Sequence, residues 1–247
     1  LIMKLKSIFI LTIAANLLTS CGKDPFCNCL ESTGRASSET RTVDPFNTLE
    51  VFNNVNVNWH QSSEYKLVVS CGSNLLDGIE TEVEGGVLKI RNKNRCNWMR
   101  DPGNVYLVDV YSPGIGTIIC RTVGDITCKD TIRNSVFLAE SWDGTGTIRL
   151  SLDVDEAYLK IHTGPADIIA NGQTGYCYLY NTGNGYIRAG SLQTSDAFVM
   201  SRSTGDCYVT SDNNLQVKID YQGDIYYTGQ PSNIQSQITG TGRLIRF

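Results

Sequence analysis

The chain has 247 residues, with 21 basic against 25 acidic side chains, a net charge of −4 and 41% apolar residues. That apolar share excludes a disordered chain, and the acidic balance argues against nucleic acid as a partner. Arg91, Lys93, Arg95 and Arg100 form only a loose cluster beside a predicted loop.

Met3-Lys-Leu-Lys6 gives a positively charged start, followed by an apolar run from Ile8 to Leu18 and then Leu18-Thr-Ser-Cys21. These are the three regions of a secretory signal over 1–20. The run is too short for a transmembrane helix. Its ending resembles the lipobox of bacterial lipoproteins, which implies that Cys21 carries the lipid and becomes the mature N-terminus. A lipid there anchors the protein to a membrane without spanning it. Gly22 is not the Asp of inner-membrane retention, so the expected location is the outer membrane, on its periplasmic side or at the cell surface. Residues 21–41 are polar and aperiodic, and read as a tether.

An ordered domain is expected over 42–247. Alternating stretches at Leu49–Val51, Val55–Trp59, Lys66–Val69, Glu82–Ile90 and Val105–Tyr111 read as strands, with turns at Asn53-Asn54 and Pro113-Gly114 and a hairpin-like or rung-to-rung turn at Gly85-Gly86. No sustained helical period is present.

The second half is organised by a five-residue phrase: Thr122-Val-Gly-Asp-Ile126, Gly144-Thr-Gly-Thr-Ile148, Gly164-Pro-Ala-Asp-Ile168, Gly183-Asn-Gly-Tyr-Ile187, Ser203-Thr-Gly-Asp-Cys207, Tyr221-Gln-Gly-Asp-Ile225 and Gly240-Thr-Gly-Arg-Leu244. Copies recur every 18 to 22 residues. Units this short cannot bury an apolar face alone, so they stack. The central Gly reads as a turn residue chosen for positive φ, and the last position as an inward apolar column. Short alternating strands follow each phrase and fall between phrases. The predicted fold is therefore all-β, a single-domain right-handed parallel β-helix with rungs of about 20 residues. The Leu-rich consensus and Asn ladder of a leucine-rich repeat are missing.

Val43-Asp-Pro-Phe46, Trp59-His-Gln61, Asn74-Leu-Leu-Asp77, Leu88-Lys-Ile90 and the returning Gly-Asp-Ile units together resemble the head GIN domain family of putative auto-transporter adhesins, over roughly Val43 to Ile245. The resemblance implies a β-helical fold, an exported protein and an adhesive or surface role, with no catalytic residues. The chain departs from the ideal repeat at Pro165-Ala166, Ser203 and Tyr221, which weakens the expected register there.

With Cys21 set aside, eight cysteines remain: Cys27, Cys29, Cys71, Cys96, Cys120, Cys128, Cys177 and Cys207. An even number in an oxidising compartment predicts disulfides, with Cys71–Cys96 favoured. Cys128 and Cys207 also fit as small inward core residues. Cys27-Asn-Cys29 lacks a second half at zinc spacing.

Asp125, Asp167, Asp206 and Asp224 share the fourth phrase position and stack as one column. Asp206 and Asp224 fall about 5 Å apart on neighbouring rungs, a spacing that suits a Ca²⁺ site or an acid/base pair. The alternative, which leads, is turn geometry with each Asp bonding its own backbone. Among the tyrosines that crowd the later rungs, Tyr208 and Tyr226 are candidates for sugar stacking or for ordinary sheet packing. His60 and His162 are the only histidines, and no nucleophile elbow or phosphate loop occurs. His162, Lys160 and Asp167 can approach one another without any motif joining them. The expected function is a non-catalytic adhesin or glycan-binding envelope lipoprotein. A glycan-cleaving β-helix enzyme and a purely structural envelope protein are the alternatives.

Overall fold

The computed structural model describes residues 32–95 and 105–247. Their strands are β1 (Ala36–Thr42), β2 (Thr48–Asn53), β3 (Asn56–Gln61), β4 (Lys66–Gly72), β5 (Ile79–Glu84), β6 (Val87–Asn92), β7 (Leu107–Ser112), β8 (Thr117–Thr122) and β9 (Ile126–Cys128). The chain continues through β10 (Ile132–Ser141), β11 (Thr147–Ile161), β12 (Asp167–Asn181), β13 (Ile187–Ser201), β14 (Cys207–Thr210), β15 (Asn214–Ile219), β16 (Ile225–Thr228), β17 (Asn233–Ile238) and β18 (Leu244–Arg246). The described helical residues are one short 3₁₀ turn at Leu76–Gly78.

The strands wind into a solenoid. One face runs β6–β2–β8–β10–β11–β12–β13–β15–β17, every pair parallel. Its register stacks Leu88, Leu49, Ile118, Ala139, Leu159, Leu179, Val199 and Val217 in one column. All eight are buried. A second face stacks Val57, Ile126, Ile148, Ile168, Ile187, Cys207 and Ile225 in the same way. Two-residue alternation dictates this, because each inward side chain meets its counterpart one rung away, and complete burial of a Leu or Ile stabilises by about 1.5–3 kcal/mol. The 15-residue strands β11, β12 and β13 bend to supply a third face, with Leu152, Gly172 and Leu192 in register.

Five details differ from the sequence reading. Residues 36–42, assigned to the tether, form β1, which pairs antiparallel with β4. The first rungs are not purely parallel: β4 also pairs antiparallel with β7, and of the two expected turns at Gly85 (φ 58°) and Gly86 (φ 77°) the hairpin is the one formed, joining β5 to β6. The central phrase glycines owe nothing to positive φ, which is found instead at Gly164, Gly172 and Gly229 among the rung glycines. They are there for close approach: a Cβ on Gly146 would lie 1.9 Å from the Gly124 carbonyl oxygen, and one on Gly205 1.9 Å from that of Gly185. Register is kept through Pro165-Ala166, Ser203 and Tyr221, and it slips instead between Ile169 and Asn171.

The fifth difference concerns cysteine. Cys71, Cys120, Cys128, Cys177 and Cys207 are free and buried. Cys120, Cys128, Cys177 and Cys207 fill inward positions as small apolar residues, and no other cysteine on the described strands faces them. The expected partner of Cys71, Cys96, lies outside the described residues, as do Cys21, Cys27, Cys29 and the whole signal segment.

Candidate functional site

Alternation that sends Ala139, Leu159 and Leu179 inward sends their neighbours outward. The outward register brings Leu138, Tyr158, Tyr178 and Phe198 into one row and Glu140, Lys160 and Tyr180 into the next. Trp142 and His162 follow the ends of β10 and β11. Their rings stack at 3.8 Å with an interplanar angle of 10°, and His162 lies 5.4 Å from Tyr180. Tyr178 lies 5.4 Å from Phe198 and 6.1 Å from Tyr158, which in turn meets Tyr176 edge-on at 6.1 Å. The guanidinium of Arg121 covers the Trp142 ring at 5.7 Å. A half-buried aromatic strip therefore crosses four rungs, spaced about 4.8 Å apart.

Glu140 lies within the strip. Its Oε1 is 3.3 Å from both Lys160 Nζ and His162 Nε2, and its Oε2 accepts from Trp142 Nε1 at 3.4 Å. Burial works to raise the Glu140 pKa, but the donors from His162, Trp142 and Lys160 outweigh it and hold the carboxyl below its usual value. Lys160 and His162 thus converge on Glu140, whereas Asp167 pairs with Arg188 elsewhere. Tyr158 donates to Glu156 at 2.7 Å, and that bond raises its own pKa.

Beside the strip, on the third face, lies an open groove of about 420 Å³ lined by Asp153, Asp155, Gln173, Thr174, Gln193, Thr194 and their neighbours. Gln173 donates to Asp153 at 2.7 Å. Gly175 lines the groove and Tyr176 begins the strip, so the two surfaces are continuous. Aromatic rings next to amide and carboxylate groups suit a ligand that alternates apolar faces with hydroxyls.

The aspartates of the turn column are engaged otherwise. Asp125 Oδ1 accepts the Thr147 N–H at 2.9 Å, Asp167 that of Tyr186 at 2.9 Å, Asp206 that of Asp224 at 2.8 Å and Asp224 that of Arg243 at 2.8 Å. Each carboxylate thus bonds the backbone of the next rung, not its own as the turn reading expected. Arg149, Arg188 and Arg243 take the second oxygens of Asp125, Asp167 and Asp224. No set of three or more His, Cys, Asp or Glu side chains suited to a metal ion occurs among the described residues. Tyr208 and Tyr226 stack on each other at 4.8 Å and 8°, and Phe247 packs edge-on against both at 5.9 and 6.2 Å.

Sequence reasoning missed Glu140, Trp142 and the groove residues. The signal was the 20-residue register itself, which lines up Glu140 with Lys160 and, two positions on, Trp142 with His162.

The fold defines an all-β solenoid whose interior is filled and whose aromatic strip and polar groove lie on its outside. The chain belongs to the family described as "Putative auto-transporter adhesin, head GIN domain", whose profile matches residues 45–231. The family points to a cell-surface or envelope protein, and no helix of the described residues is long and apolar enough to cross a membrane. Solved structures share the fold. A putative adhesin from Bacteroides fragilis has a TM-score of 0.80 at 18% identity over 86% of this chain and 97% of its own. A putative adhesin from Parabacteroides distasonis has a TM-score of 0.68 at 20% identity, covering 87% of this chain and 98% of its own. A protein described as a putative lipid binding protein, from the same species, has a TM-score of 0.65 at 20% identity, with coverage of 87% and 98%. No curated protein matches the sequence.

Proposed function

We propose that this chain is an exported, non-catalytic adhesive module, held at the outer membrane by a lipid on Cys21, that binds an extended glycan along its rungs. The observation that carries this reading is the continuity of the Trp142–His162–Tyr180–Tyr178–Tyr158 strip with the polar groove beside Tyr176. A polymer laid across the rungs meets an aromatic contact and a hydroxyl partner at each step, and its affinity builds from many weak contacts. The groove is lined mainly by polar groups, which disfavours an acyl chain there. Tyr208 and Tyr226 supply a lesser contact, because they stand on β14 and β16 of the second face and do not line the groove.

The test is titration of the purified protein with bacterial and host polysaccharides, followed by tryptophan fluorescence and melting temperature, with Ca²⁺ or chelator in parallel. A ligand that binds only the folded state raises the melting temperature. Trp142→Ala and Tyr178→Ala should each weaken binding by about tenfold, the loss of one aromatic contact of about 1–1.5 kcal/mol. Affinity unchanged by both substitutions would discard the strip as the binding surface. Release of shortened saccharide would replace the adhesive reading with an enzymatic one built on Glu140.

A further inference from the structure

Among the described residues, the first rungs of the solenoid are covered and its last strand on one face, β17, is not. At the first rungs, antiparallel β4 and the β5–β6 hairpin lie over the core and leave Leu67, Val69, Leu75 and Ile79 buried. At the far end, β17 pairs with β15 along one edge, and no strand among the described residues pairs with its other edge. The inward columns run on into this last strand, with Leu215 facing Ile234, Val217 facing Ser236 and Ile219 facing Ile238. Leu215 and Ile219 are fully buried, whereas Ile234 is 42% and Ile238 45% exposed. Two core columns therefore end in water on a strand whose backbone donors and acceptors are unused on one side.

Free edges are normally blunted by charge, proline or a bulge. This one carries none of these: β17 has no proline or charged residue, and the stretch 230–242 has no charged residue at all. Its sequence is also symmetric. Ile234-Gln-Ser-Gln-Ile238 reads the same in both directions about Ser236. Antiparallel pairing of two copies about a two-fold axis at Ser236 sets Ile234 opposite the second copy's Ile238 and Gln235 opposite its Gln237. Ser236 then faces itself. Like residues meet like in every pair, Ile and Ser on the inward side and amide on the outward side, with no charge to repel across the axis.

We propose that β17 is a homodimer edge, in which two copies of this chain join end to end through antiparallel β17 strands centred on Ser236. A strand that pairs with its own copy about a two-fold axis makes an isologous contact, which closes at two. The outward strips of both copies then lie on one extended body. The dimer stands whether or not those strips bind glycans.

Sedimentation velocity and light scattering on the purified protein test this, with a mass twice that of the monomer expected at tens of micromolar. Gln235→Lys/Gln237→Lys places ammonium groups opposite each other and should give a monomer with unchanged circular dichroism. Gln235→Lys/Gln237→Glu sets the new ammonium of one copy against the new carboxylate of the other and should restore the dimer. Ser236→Cys should yield a disulfide-linked dimer on mild oxidation that the parent protein does not form. Residues paired directly across antiparallel strands have Cα atoms about 4.5–5.5 Å apart, within reach of a disulfide. A monomeric parent protein, a dimer that survives the double-lysine change, open-ended fibres, or absence of the Ser236→Cys crosslink would each overturn the proposal.

Discussion

Gly185 lies so close beneath Ala166 that a Cβ on it would stand 1.7 Å from the Ala166 carbonyl oxygen. The obstacle is backbone held in the rung, so it cannot swing aside as a side chain tip could. Gly185→Ala should therefore destabilise by about 1–3 kcal/mol through overpacking, lowering the melting temperature by roughly 2–12 °C for a chain of this size. Gly114 is the control. A Cβ there meets only Asn134 Oδ1 at 4.0 Å, so Gly114→Ala should leave the melting temperature nearly unchanged. Equal shifts in the two variants would show that close approach does not select glycine in the turn column.

The aspartate ladder makes stability depend on acid. The guanidinium of Arg243 and its backbone N–H hold the Asp224 carboxyl below its usual value against the effect of burial. For Asp125, burial acts upward but the Thr147 N–H and the Arg149 side chain outweigh it. A carboxyl whose folded pKa is depressed stabilises the fold above its unfolded pKa of about 3.9, and this contribution is lost as pH falls through the folded value. Stability should thus be flat from neutrality to about pH 5 and decline below about pH 4. Asp224→Ala should cost about 1 kcal/mol at pH 7, the net worth of one hydrogen bond, and should reduce the acid slope. Chemical denaturation at pH 3.5 and pH 7 measures both.

The repeat is legible because each phrase occupies one turn of the solenoid, and its period alone defines the inward column from Ile126 to Ile225. The first rungs were harder to read. Their strands pair out of sequence order, β2 with both β6 and β8, so no fixed period marks them. Alternation also cannot tell an antiparallel β4 from a parallel one, since both bury every second residue. At the site, the repeat singles out the Asp column inside the phrase and the Tyr208 and Tyr226 positions directly after it. Glu140 and Trp142 lie outside it, on the strand face between phrases, and they meet Lys160 and His162 only when that second register is drawn. The function of the central glycines was misread because close approach depends on the neighbouring rung, which local turn chemistry does not include.

Buried thiols give an alkaline counterpart to the acid effect. Burial pushes the thiols of Cys128, Cys177 and Cys207 up to about 12 from an ordinary value of 9.0. A group whose folded pKa is raised contributes stability that is present below the unfolded pKa and is lost as pH climbs toward the folded one. Stability should fall between about pH 9 and pH 12, less steeply in a Cys177→Ala/Cys207→Ala variant. The same burial should leave these thiols unlabelled by iodoacetamide at pH 8 in the native protein and fully labelled in denaturant. Mass spectrometry of the tryptic peptides separates the outcomes, and rapid native labelling of Cys177 or Cys207 would contradict the packing.

Asn181 and Ser201 occupy matching positions on β12 and β13, in a column otherwise held by residues such as Ile161 and Ile219. Asn181 donates to the Gly185 carbonyl at 2.9 Å, but its Oδ1 and the Ser201 Oγ are buried without a hydrogen-bond partner. A buried hydroxyl with no partner loses its water without replacement, so removing it relieves a cost. Ser201→Ala should therefore be neutral or raise stability by up to about 1 kcal/mol, although most buried substitutions lower it. Asn181→Ala should behave oppositely. It strips the Gly185 carbonyl of its donor and opens a cavity beside Ile161, at a cost of about 1–3 kcal/mol. Urea denaturation of both variants decides the matter: a clear loss of stability in Ser201→Ala would mean that its hydroxyl holds a bonded partner in solution, such as an internal water shared with Asn181.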